Sequence, residues 1–272
     1  MRAIIDASMS FKTHELLGSR VPCCLAFVLD RPFLQHVIEM CANGGIDTFD
    51  ILLSAHPEKI EAALGNGDRW GVQITYHLLK DPSQFARIFD SVKTDSSFLF
   101  ARGDRLPALS GEQLTDLASR HALTAITTQK DEQSPCWSGW AILSPHLYPV
   151  LSTDHGYEQF FTWLMENNAH ILSIPEVLSC DSCEEVLKAN NTVLSQDNFD
   201  FLMRTATEVE EGIWIARDVA LHPDAQLVAP VYLDEQIRIE TGVILGPNAV
   251  LGKGTMVARN SSLKNTVVFP GT

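Results

Sequence analysis

The chain has no run of basic residues, and it is poor in positive charge overall. Twenty lysines and arginines face 34 aspartates and glutamates, a formal charge of −14 over 272 residues. A polyanion gains little from such a surface, so nucleic acid and anionic membrane are excluded as expected partners. No apolar stretch approaches the roughly 20 residues needed to cross a bilayer. The first residues, MRAIID, meet an acid at Asp6, which is no secretory leader, and a cytoplasmic location is expected. Six cysteines show no disulfide-framework spacing and read as reduced thiols. Cys180 and Cys183 form a single CxxC, short of the about four ligands of a structural zinc site. The histidines likewise fall at no metal-ligand spacing.

What the chain does have is 45% hydrophobic content, enough for one large core or two smaller ones. Its last third is periodic. In steps of six from Ile215 come Leu221, Leu227, Leu233, Ile239, Leu245, Leu251, Val257, Leu263 and Phe269, all large and apolar. Two places earlier run Ile213, Val219, Ala225, Val231, Ile237, Val243, Ala249, Thr255, Ser261 and Val267, mostly small or β-branched. A helix would scatter these positions and a simple strand would repeat every two. A left-handed parallel β-helix satisfies the period, with one hexad on each face of a triangular coil. The segment stops within a repeat at Thr272, so a partner or further chain is expected to cover its end. One histidine, His222, lies in the repeat, in an LHPDA turn. Acyl transfer with that imidazole as general base is one reading of the segment, and a scaffold for assembly is the other.

The preceding residues alternate between helix and strand patterns. Residues 31–43 read as a helix capped by Asp30, with Pro32 in its first turn and Gly44 ending it. TFDILLS (48–54) and SFLFA (97–101) read as buried strands, Val72, Ile74 and Tyr76 as an alternating one, and ALTAITT as another. Ser110 and Gln113 form a capping box. The succession predicts an α/β domain over residues 1–206 with a mostly parallel sheet, followed by the β-helix over 207–272. Ligands of such sheets bind at the carboxyl ends of the strands, here loops 6–24 and 102–105.

The stretch from Asp30 to Tyr76, with GNGDRWGVQITY at 65–76, resembles the sugar-1-phosphate nucleotidyltransferases, and most of all their mannose-1-phosphate guanylyltransferase branch. FLFARGD (98–104), SGWAILSP (138–145) and EEVLKANNTVLS (184–195) are similar to later elements of that family, whose members often carry a hexapeptide β-helix. The resemblance implies a Rossmann-like domain that joins a nucleoside triphosphate to a sugar 1-phosphate with release of pyrophosphate. That chemistry needs backbone donors, a basic side chain and a divalent metal, Mg2+, where charge converges.

Against that pattern the chain departs repeatedly. The family's GGxGTR loop aligns with Ser8, Met9, Ser10, Phe11, Lys12 and Thr13, without glycine or arginine. Its Pro-Lys pair becomes Pro22-Cys23, and a PLGTA-like segment becomes Pro82, Ser83, Gln84, Phe85 and Ala86. Asp104 matches the Gly-Asp aspartate. The second metal aspartate aligns with Ser179, with Asp181 two positions on. Only about 34 residues separate Asp104 from Gly139, too few for the hairpin bearing the family's Glu-Lys pair, and Trp137 replaces a sugar-contacting asparagine. The candidate site therefore reduces to Asp104 and Lys12 as catalytic residues, to Gly139, Arg20 and Pro82 as substrate contacts, and to Asp104 and Asp181 as metal ligands. The expected protein is a non-catalytic regulatory or assembly subunit of nucleotide-sugar biosynthesis. It would bind a nucleotide or sugar phosphate and form a homo-oligomer or pair with a nucleotidyltransferase paralogue. The alternatives are an active nucleotidyltransferase with an atypical site, in which Lys12 or Arg20 meets phosphate, and a β-helix acyltransferase or scaffold.

Overall fold

Short apolar runs bounded by turn residues, such as those at 2–6, 48–53 and 98–102, become strands buried on both faces. The computed structural model describes residues 1–9, 21–91, 96–131, 134–145, 156–195 and 197–272. In chain order the strands up to residue 179 are β1 (Arg2–Asp6), β2 (Phe27–Val28), β3 (Arg31–Pro32), β4 (Thr48–Leu53), β5 (Gln73–Leu78), β6 (Phe98–Arg102), β7 (Arg105–Pro107), β8 (Thr124–Asp131), β9 (Ser134–Leu143), β10 (His170–Ile174) and β11 (Val177–Ser179). The helices are α1 (Phe33–Asn43), α2 (Pro57–Leu64), α3 (Ile88–Ser91), α4 (Gly111–Arg120), α5 (Tyr157–Glu166) and α6 (Cys183–Ser195). Two compact units result. One comprises residues 1–26 and 33–182, the other residues 27–32 and 183–272.

The first unit is mixed α/β. Its seven-stranded sheet has the order β10-β8-β9-β6-β1-β4-β5, parallel except for β9, which runs antiparallel to both neighbours. Ile4, Ile5, Phe100 and Trp140, all fully buried, anchor the middle strands. The register makes Asp6 and Arg102 neighbours at the carboxyl ends of β1 and β6. β7 and β11 form a small antiparallel pair beyond that edge. Helix α4 starts as its sequence requires. The Ser110 hydroxyl accepts from the Gln113 N–H at 3.3 Å, and the Gln113 side chain accepts from the Ser110 N–H at 2.8 Å. Ser110→Ala should cost about 1 kcal/mol, read as a shift in the urea midpoint.

One local reading is corrected. Asp30 does not cap α1, which begins at Phe33 after Arg31 and Pro32 enter a two-residue strand. Its carboxylate is drawn instead into the second unit. It accepts from Arg31 at 2.7 Å, from the Thr205 N–H and hydroxyl at 2.8 and 2.7 Å, and from the Tyr232 hydroxyl at 2.9 Å. The Asn190 side chain completes the attachment of this hairpin. It accepts from the Leu29 N–H at 2.8 Å and donates to the Phe27 carbonyl at 3.1 Å.

The rest of the second unit is built from short strands: β12 (Thr207–Glu210), β13 (Ile213–Ile215), β14 (Ala220–Leu221), β15 (Gln226–Leu227), β16 (Val231–Leu233), β17 (Arg238–Ile239), β18 (Ile244–Leu245), β19 (Ala249–Leu251), β20 (Met256–Val257), β21 (Ser262–Leu263) and β22 (Thr266–Val268). They form three sheets, β13-β16-β19-β22, β14-β17-β20 and β15-β18-β21, all parallel, with β12 added antiparallel at the edge of the first. Ile213 pairs with Val231 and Val231 with Ala249, a step of 18 residues that the other two sheets share. Three hexads therefore return the chain to its own ladder except in the last coil, where Ala249 pairs with Thr266 after 17 residues, and Val268 rather than the expected Phe269 packs on the buried cluster. Leu233, Ile239, Leu245 and Leu251, with Val231, Ile237, Val243 and Ala249, make one buried cluster.

Burial raises the pKa of Asp30, but its bonds to Arg31 and Thr205 outweigh that, and the carboxyl ends near 2. Because the folded value lies below the ordinary 3.8, this contribution is present above pH 4 and is lost as pH falls toward 2. About 2 kcal/mol of the second unit's stability should disappear over that window. Acid titration followed by urea melts at each pH reads it, and Asp30→Asn should flatten this part of the profile.

Candidate functional site

The carboxyl edge of the first unit's sheet is where the predicted aspartate lies, and the geometry there starts from β6. Asp104 follows Gly103, whose N–H donates to the Asp6 carbonyl at 2.8 Å. A Cβ at 103 would fall 3.1 Å from Leu34, 3.2 Å from the Asp6 carbonyl and 3.3 Å from Ile5, tighter than ordinary contact, so glycine eases the approach to β1. Asp104 is thereby pulled under the edge, with its side chain fully buried. Both of its oxygens are taken by one guanidinium. Arg102 donates from Nε at 2.9 Å and from Nη2 at 2.6 Å. Burial tends to lower the Arg102 pKa, but the Asp104 charge overrides it and holds the guanidinium firmly protonated.

Arg102 is itself enclosed. The Tyr157 ring lies 4.6 Å from its guanidinium carbon. On another side is Gly139, at φ +91°, where an added Cβ would fall 2.9 Å from Arg102 Cδ. The retained glycine therefore makes room for Arg102. Tyr157 is fixed in turn by Phe85, stacked at 4.8 Å, and by its hydroxyl, which donates to Asp6 at 2.5 Å. The Ser8 hydroxyl and N–H donate to the other Asp6 oxygen at 2.5 and 2.9 Å. Burial pushes the Asp6 carboxyl up, against the lowering effect of these bonds. The Tyr157 phenol is also pushed up, by burial and then by Asp6. An aromatic wall of Phe85, Phe100, Trp137 and Phe160 backs this cluster.

The positions expected to meet phosphate carry no charge among the described residues. Cys23 is fully buried, and its thiol donates to the Met9 carbonyl at 3.4 Å. The Cys24 and Cys180 thiols are pushed well above their ordinary value, by burial first and then by Cys23, which keeps them neutral. Lys12 and Arg20 lie outside the described residues. Pro82 is exposed and opens a 3-10 turn capped by Asp81. Asp181 is buried and paired with Arg105 at 2.8 Å. His222, in the second unit, contacts the Asp224 carboxylate on the rim of a groove of about 550 Å3 that Arg238, Glu240 and Arg259 help to line.

A divalent cation would need carboxylate oxygens free to face it. Both oxygens of Asp104 are taken by Arg102 and one oxygen of Asp181 by Arg105, so Asp104 as it stands does not fit a magnesium ion. Among the described residues there is no group of three or more metal-ligating side chains. Asp6, Ser8, Tyr157, Arg102 and Asp104 form one cluster of hydrogen bonds and ring contacts under an aromatic cover. The sequence reading named Asp104 and Gly139 but missed Arg102, Asp6 and Tyr157. An arginine between a buried strand and a Gly-Asp pair is the signal that was available for the first. Tyr157 sits in no motif.

Residues 18–137 match the model of the family described as Nucleotidyl transferase. A UTP–glucose-1-phosphate uridylyltransferase of Synechocystis is 21% identical over 323 residues, covering 99% of this chain and 83% of that protein. A protein of Bacillus anthracis, provisionally assigned as a glucose-1-phosphate thymidylyltransferase and solved with a sucrose, superposes with a TM-score of 0.62 at 13% identity, over 74% of this chain and 99% of that one. HddC from Yersinia pseudotuberculosis, complexed with GMP-PN, gives 0.56 at 13% identity over 71% and 99%. No helix among the described residues is long and apolar enough to cross a membrane. Residues 18–137 are thus similar to the nucleotidyl transferase family, and the mostly parallel sheet of the first unit has the fold of these solved structures.

Proposed function

We propose that this protein is a non-catalytic relative of the NDP-sugar pyrophosphorylases, acting as a regulatory, sugar-nucleotide-sensing or assembly subunit in nucleotide-sugar or polysaccharide biosynthesis. The observation that carries the reading is Cys23. At the place of the phosphate-binding lysine stands a fully buried thiol whose hydrogen goes to a main-chain carbonyl. A thiol offers a converging triphosphate no fixed positive charge. Removing one phosphate-binding donor from a transition state costs about 2–4 kcal/mol, so the missing lysine, arginine and glycines compound to many orders of magnitude in rate. Ser8 and Met9 support the same reading, since both are turned onto Asp6 and Tyr157 rather than presented to a ligand.

Residues 207–272 of the second unit are, in this reading, a left-handed β-helix of hexapeptide repeats that joins the protein to copies of itself or to an active nucleotidyltransferase paralogue. The 18-residue ladder and the cluster of Leu233, Leu245 and Leu251 support the coil. The proposed setting is the cytoplasm, where nucleotide sugars are made, and magnesium belongs to the active partner rather than to this chain. Affinity purification of the tagged protein from its native cell, followed by mass spectrometry, tests the role. A nucleotidyltransferase or a bound sugar nucleotide should co-purify in stoichiometric amount. Recovery of the chain alone, free of nucleotide, sinks the regulatory assignment.

A further inference from the structure

The geometry points to Arg102 as a built-in cation. Its guanidinium stands where a nucleotidyl transfer site would hold a divalent metal, and its presence, not the loss of a carboxylate, keeps that metal out. This deepens the non-catalytic reading and rests on it, but is carried by different atoms.

Three observations make the case. The first is saturation. Asp104 retains the family's carboxylate, yet both oxygens receive short N–H bonds from one planar group, which is the bidentate geometry that guanidinium favours over any point charge. The second is charge. The Arg102 guanidinium pairs with Asp104 inside the site, both side chains being mostly or fully buried. A dication entering there would have to expel a cation to find ligands. The third is that the arginine has a made place. It is only 15% exposed. Gly139 gives up a side chain to pass its stem, Tyr157 covers its face, and Tyr157 is anchored through Asp6 on the neighbouring strand. A surface arginine that happened to swing onto a carboxylate would have none of these supports.

A specific consequence follows. Removing the guanidinium uncovers Asp104 beside Asp6 and restores an acidic recess at the strand ends. Divalent-cation binding is then gained by deletion of a single side chain.

Mn2+ serves as the probe, titrated into the full-length protein and followed by the electron paramagnetic resonance of the free ion. Circular dichroism checks the fold of each variant. Wild type should show no stoichiometric site. Arg102→Ala, and Arg102→Gln as a variant of nearly unchanged volume, should each bind one Mn2+ at least about tenfold tighter than wild type. Adding Asp104→Asn to either should return it to the wild-type curve. If both single variants unfold, the wild type still decides. The Arg102 Nε–H resonance must stay sharp while Mn2+ is added, and its selective broadening would show a cation seated against Asp104 beside the arginine. That broadening, or folded Arg102 variants that bind Mn2+ no better than wild type, overturns the inference. Turnover plays no part in this readout. Pyrophosphate release by the wild-type chain would overturn the non-catalytic reading, whereas a failed Mn2+ titration overturns only the role of Arg102.

Discussion

Replacing Asp104 by alanine should destabilise the first unit by about 3–5 kcal/mol, the usual cost of stranding one member of a buried ion pair. The sign is the informative part. In a metal-dependent site the carboxylates repel one another while the metal is absent, and removing one relieves strain, so the apo-protein gains stability. Here the carboxylate is the sole described acceptor for two N–H groups of Arg102, which is itself mostly buried and covered by Tyr157. Without Asp104 the guanidinium must recruit water through an aromatic cover or push Tyr157 aside, and Tyr157 in turn holds Asp6. Urea unfolding reads the change through Trp137 and Trp140, which flank Gly139 on the strand opposite. A midpoint unchanged or raised in the absence of metal would show that Asp104 is held in reserve for a ligand rather than spent on the fold.

Asp30→Ala should cost a similar amount, about 3–5 kcal/mol, but in the second unit. The carboxylate collects Arg31, Thr205 and Tyr232, and its side chain is only 2% exposed. Alanine removes the acceptor of the Thr205 N–H and hydroxyl, of the Tyr232 hydroxyl and of two Arg31 N–H groups. This exceeds the acid effect, because a protonated Asp30 still accepts hydrogen bonds whereas alanine accepts none. The Phe27–Pro32 segment should then detach, exposing Phe269, against which Phe27 packs at 5.8 Å. Hydrogen exchange at Leu29, whose N–H is bonded to Asn190, reports the detachment directly. Protection at Leu29 that survives the substitution would assign the attachment to Asn190 alone.

Legibility from sequence followed the range of the forces involved. The hexad period is a local rule repeated, and it reappears as the 18-residue step of three ladders. The Ser110–Gln113 cap uses four adjacent residues and was readable for the same reason. Asp30 was misread because its cap signal is also local, while the partners that claim it lie 175 and 202 positions away in the chain. The antiparallel entry of β9 into the parallel sheet is another long-range outcome, set by which edge remains for SGWAIL to pair with. At the site, the family pattern singled out Asp104 and Gly139, and both lie against Arg102, a residue that the pattern leaves unspecified.

In the proposed function the first unit keeps a nucleotidyl-transferase-like fold without the transfer chemistry. The direct measurement is pyrophosphate release by the purified full-length protein, supplied with each nucleoside triphosphate, a panel of sugar 1-phosphates, and Mg2+ or Mn2+. The account predicts a rate indistinguishable from protein-free buffer under every combination. Release that scales with protein concentration and vanishes on Asp104→Asn would contradict it.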